Sequence, residues 1–145
     1  MKRVVLACAA SLLALTAQAA EVVISKPWVK GTLASARSST AYLEFLCDEA
    51  GSIVAARSPL ASSVSLQDMR FELDGGPLRP TPVKSLPFEK RRKLLLTPVT
   101  GHLVLQGLSG PVKAGDRIPL ILTLRLADGS EQEVTVEAIG RGVMP

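Results

Sequence analysis

From Val22 onward the chain is a succession of short apolar runs rich in Val, Leu and Ile, each soon closed by Gly, Pro, Asp or Ser, and no stretch carries apolar residues at helical spacing. The runs Val22 to Ser25, Thr40 to Cys47, Ile53 to Arg57, Ser63 to Leu73, Leu94 to Thr97, Gly101 to Leu108, Ile118 to Leu126 and Glu131 to Ile139 are predicted strands, and Trp28-Val29 follows the first after Lys26-Pro27. Gly31 to Ser39 reads as a loop, and Asp48-Glu49-Ala50-Gly51, Ser58-Pro59 and Asp74-Gly75-Gly76-Pro77 read as turns. Pro77 to Pro87 holds four prolines, which excludes a helix and leaves at most a short edge strand. In Ser63 to Leu73 the two parities, Val64, Leu66 and Asp68 against Ser65, Gln67, Met69, Phe71 and Leu73, do not separate cleanly into a buried and an exposed face. Eight or nine short strands at nearly even spacing, without repeat or linker, predict one all-β domain, an antiparallel sandwich or barrel.

The first residues are of another kind. Lys2 and Arg3 precede an uncharged run from Val4 to Ala17, and Ala17-Gln18-Ala19 supplies the small residues of a cleavage site, so residues 1–20 are expected to be a secretory signal peptide, cut after Ala19 or Ala20, and 21–145 the single folded domain. The run is too short for a membrane span. Cys8 after Leu6-Ala7 resembles a lipidation site, but too little apolar sequence precedes it, and a cleaved, unlipidated leader is the expectation. Once Lys2 and Arg3 leave with the leader, the 17 basic residues of the whole chain become 17 − 2 = 15, which barely exceed the 13 acidic ones. That balance argues against a nucleic-acid binder. The mature protein, expected in the periplasm, then keeps Cys47 as its one cysteine, so no internal disulfide forms and a hydrophobic core must hold the fold. Cys47 is read first as a small buried side chain, with a reactive thiol or a metal ligand as the alternatives.

Enzymatic chemistry has little to stand on. His102 is the single histidine, no G-x-S-x-G elbow exposes a serine, and aromatic residues make up 3% of the chain, too few for a sugar-binding platform. Phosphate-binding glycine loops, C-x-x-C pairs and H-E-x-x-H helices are missing from the sequence. Lys90-Arg91-Arg92-Lys93, opposed by Glu89, is read as a solvated loop. The donors left are Met69, His102, Cys47 and Met144; a lone His or Met on a strand is also what an ordinary core contains.

The order of landmarks carries a resemblance. Pro27-Trp28-Val29-Lys30, Thr40-Ala41-Tyr42-Leu43, Ser58-Pro59-Leu60-Ala61 leading into Val64-Ser65-Leu66-Gln67-Asp68-Met69, Gly101-His102-Leu103-Val104-Leu105, Gly107-Leu108 and Val112 to Leu120 (VKAGDRIPL) resemble the successive blocks of the PCu(A)C periplasmic copper chaperones, from about Trp28 to Ala138. The resemblance implies a cupredoxin-like Greek-key β-sandwich that carries Cu(I) in the periplasm, with the copper site of cytochrome c oxidase or another copper-handling protein as partner. It also implies a ligand set of two His and two Met, and on that pattern this chain is degenerate. The first His falls at Gln67, the next Met near Leu78, and the closing H-x-M on His102-Leu103-Val104. His102 is retained, and Met69, two residues from Gln67 and thus on the same strand face, is the candidate second ligand. Thioether sulfur suits Cu(I) and, unlike a thiolate, forms no disulfide in an oxidising compartment. Two functional expectations follow: a copper-chaperone-like protein with an incomplete Cu(I) site at His102 and Met69, or an envelope interaction module that keeps the fold without the metal. No enzymatic activity is expected.

Overall fold

The computed structural model describes residues 19–72 and 74–143, and the expected leader, Cys8 and Met144 fall outside these residues, apart from Ala19 and Ala20. Ten strands follow in order: β1 Val22–Val29, β2 Ser38–Cys47, β3 Gly51–Arg57, β4 Ala61–Phe71, β5 Leu78–Pro82, β6 Leu86–Phe88, β7 Leu94–Leu96, β8 His102–Leu108, β9 Arg117–Leu126 and β10 Glu131–Gly140. The expected eight or nine strands become ten because the proline-rich segment contributes two. Both pair at margins: β5 lies outside β4, β6 lies outside β3, and the missing N–H of Pro80, Pro82 and Pro87 costs nothing at such an edge.

Seven strands run β4-β8-β2-β1-β10-β9-β3, and the pair Ala56–Val64 joins β3 back to β4. The all-β expectation therefore holds in barrel-like form, with the sheet returning to its own start. Neighbours are antiparallel except β1 and β10, which run parallel through Trp28–Ile139 and Val29–Gly140. Strand β7 extends the same margin of β2 that β8 uses, so the chain between them, Thr97 to Gly101, loops out between two consecutive pairings.

The Lys26-Pro27 interruption does not end β1. Ser25 opposes Glu44 and Trp28 opposes Tyr42, so β1 spends one more residue than β2 over the interval, and Lys26 takes a left-handed φ of 50°. This is a β-bulge, which absorbs the proline and re-aims Trp28. Alternation places Phe45, Leu43 and Cys47 of β2, Leu103 and Leu105 of β8, and Leu120, Leu122 and Leu124 of β9 inside, where they are almost wholly buried with Val29, Ile53 and Leu96. Phe45 and Phe88 pack with ring centroids 4.7 Å apart. On β4, Leu66 points inward, which settles the two parities: Ser65, Gln67 and Met69 belong to the outward face. Lys90-Arg91-Arg92-Lys93 forms a turn and loop as expected, with Arg92 on Glu89 and Lys93 on Glu44.

Candidate metal centre on the outer face of the barrel

Because Leu103 and Leu105 enter the core, His102 and Val104 point to the opposite face of β8. His102 is the direct cross-strand partner of Gln67, and Val104 lies between Ser65 on β4 and Thr40 on β2. Continuing the β2–β8 register by one residue sets Tyr42 beside His102, and their ring centroids are 6.0 Å apart. Tyr42 in turn opposes Trp28, with centroids 4.5 Å apart and planes tilted by 41°. One row of side chains thus crosses five strands: Ile139, Trp28, Tyr42, His102 and Gln67. The Tyr42 hydroxyl accepts a hydrogen bond from Thr40 Oγ1 at 2.8 Å, and the Arg141 guanidinium stacks over Trp28 at 4.0 Å.

His102 is 6% exposed, yet its ring is poised rather than merely packed. Nδ1 lies 3.2 Å from the Thr100 carbonyl oxygen, which can only accept, so Nδ1 is the donor of this pair, and in the neutral ring Nε2 keeps its lone pair. Metal-bound histidines are oriented by a bond of this kind. Thr100 is itself held, since its hydroxyl donates to the Leu95 carbonyl at 2.8 Å and accepts from the Thr97 amide at 2.8 Å. The Thr97 to Gly101 loop is therefore a braced support for the imidazole.

The remaining donors are sparse. Met69 follows Gln67 by two residues on the same face, about 7 Å further along β4. Strand pairing brings Gln67 and His102 together and Met69 next to them, but it does not bring Leu78: that residue opposes Phe71, four residues and roughly 13 Å of strand beyond Gln67, while Pro82 faces Gln67. Ser65, opposite Val104, has a buried hydroxyl oxygen with no hydrogen-bond partner among the described residues. Among the described residues no group of three or more His, Cys, Asp or Glu side chains is placed to hold a metal ion. The donor set fits one soft monovalent ion at low coordination number, with one imidazole and one thioether, and does not fit a closed carboxylate or thiolate cage.

Cys47 takes no part. It points inward at the far end of β2, 1% exposed, and burial pushes its thiol above the ordinary range, so it is the small core side chain and not a ligand or reactive group. Arg141 and Thr100 escaped the sequence reading, and Trp28 and Tyr42 entered it only as landmarks. Their convergence depends on the bulge in β1 and the parallel β1–β10 pair, neither of which leaves a local pattern.

Comparison with known proteins agrees with this architecture. A family described as "Putative lipoprotein LpqE-like" matches residues 22–138. The curated "Putative lipoprotein Lxx21020" of Leifsonia xyli subsp. xyli (strain CTCB07) is 29% identical over 119 residues, which cover 82% of this chain and 70% of that protein. Among solved structures, the copper-bound PCuAC domain from PmoF2 superposes with a TM-score of 0.65 at 16% identity, covering 86% of this chain and 97% of that domain. CuI-DR1885 from Deinococcus radiodurans superposes with a TM-score of 0.56 at 27% identity, covering 82% of this chain and 76% of that one. The expected cupredoxin-like β fold is thus the one found.

Proposed function

The chain belongs to the LpqE-like family, and from that premise we propose that it is an exported envelope protein that binds one Cu(I) at His102 and Met69 and passes it to a copper-handling partner. The observation that carries this reading is the hydrogen bond from His102 Nδ1 to Thr100 O, which leaves Nε2 as an unengaged soft-metal donor beside Gln67 and Met69. The structural likeness to PCuAC domains, two of them with copper in their names, supports copper as the ion. An imidazole and a thioether make an open, two-coordinate site, from which the ion leaves easily. Such a site suits delivery better than storage. The partner is a protein with a more complete soft-ligand set, for which the copper site of a respiratory oxidase is one candidate.

The single Trp and single Tyr of the chain stand in the same row as His102, so they report on its occupancy. A Cu(I) competition titration followed by Trp28 and Tyr42 emission should show saturation at one equivalent. His102→Ala should abolish it and Met69→Leu should weaken it about tenfold. If wild type and both variants take up no copper while remaining folded, the reading as an envelope interaction module without metal replaces this one.

A further inference from the structure

Beside the histidine, on the other side of Tyr42, the structure opens a groove of about 560 Å³ lined by Trp28, Lys30, Tyr42, Pro98, Arg141 and Val143. We infer that this groove binds a small amphiphilic carboxylate, its apolar body over Trp28, Tyr42, Pro98 and Val143 and its carboxylate between Lys30 and Arg141. The inference is independent of copper binding.

The walls are mostly apolar, and the charged residues lining the groove are both cationic. Neither Lys30 nor Arg141 is in an ion pair within the described residues, although eight other basic side chains are. Two unpaired cations at the rim of an aromatic floor match a ligand with one anionic end and one apolar end. Stacking on Trp28 fixes the plane of the Arg141 guanidinium and leaves its N–H edge for two carboxylate oxygens. The volume lies in the range of small-molecule sites.

The groove is also built by the fold. The Arg141 amide donates to the Val29 carbonyl at 2.9 Å, which carries the chain after β10 alongside the end of β1. A Cβ on Gly31 would come within 2.8 Å of the Val143 nitrogen and closer still to the Arg141 carbonyl. Glycine at position 31 thus permits the close backbone approach that sets Arg141 over Trp28 and Val143 at the lip.

Decanoate is the probe, with decanol and acetate as the uncharged and the tail-less controls, followed by calorimetry and by Trp28 emission on the full mature chain. Decanoate should bind saturably at one site, with decanol and acetate each at least about tenfold weaker. Lys30→Gln and Arg141→Gln, both at exposed positions, should each weaken decanoate about tenfold without changing the response to decanol. Lys30→Gln leaves the Trp28–Arg141 stack in place, so its effect reads the charge alone. Decanol binding as tightly as decanoate, decanoate binding unchanged in both variants, or no saturable binding to wild type would each overturn the inference.

Discussion

Gln67 and His102 oppose each other as direct partners across the antiparallel β4–β8 pair, which sets their Cβ atoms roughly 5 Å apart on the outer face of the barrel. A metal donor placed at position 67 would therefore meet the imidazole without any movement of the backbone.

Gln67→His should accordingly raise Cu(I) affinity about tenfold or more, and Val104→Met, on the same face, should add to it. Leu78→Met should add nothing, because the strand register holds position 78 opposite Phe71. Competition titrations of the three variants decide the matter. A gain from Leu78→Met equal to that from Gln67→His would mean that the β4–β5 hairpin folds back over the site.

Phe45 is fully buried against Phe88, whereas Phe71 is 75% exposed on the same sheet. Urea unfolding should show Phe45→Ala to cost about 4 kcal/mol. Phe71→Ala should stay within about 0.5 kcal/mol of wild type. Equal losses at the two positions would contradict the placement of the core.

Cys47 should behave as a core side chain. Its thiol should react with a disulfide reagent only on unfolding, and a reducing agent should leave the thermal midpoint of the mature chain unchanged. Cys47→Ala should cost about 1 kcal/mol without altering copper uptake. Rapid thiol modification of the folded protein would count against this.

The start of the mature protein can be tested against the fold. The Ala20 amide donates to Gln132 Oε1 and Gln132 Nε2 donates to the Ala20 carbonyl, each at 2.9 Å, so cleavage after Ala19 preserves both bonds. Intact mass of the exported protein should show Ala20 as the first residue and no lipid. A diacylglycerol adduct retaining Cys8 would instead make it a lipoprotein like those its relatives are named for.

Much of the barrel was legible because strand alternation and turn residues are local. Val64 and Leu66 looked no more inward than Met69 and Phe71, and only the pairing of β4 with both β3 and β8 decided between the parities. The proline-rich segment was underestimated for a physical reason: proline forbids a central strand but permits two marginal ones. His102 stood out as the single histidine, while its brace at Thr100 depends on a loop between two strands that share one margin of β2. The groove was invisible, since Arg141 meets Trp28 through a parallel pair between the first and last strands.

The measurement that reaches the central claim most directly is the long-range ¹H–¹⁵N spectrum of the one imidazole in the chain, recorded before and after one equivalent of Cu(I) under reducing, anaerobic conditions. The structure predicts a protonated Nδ1 that stays protonated on the Thr100 carbonyl and an Nε2 resonance that shifts strongly as copper binds, together with the Met69 methyl signal. An unshifted Nε2 with copper present, or a free-state spectrum with the proton on Nε2, would contradict it.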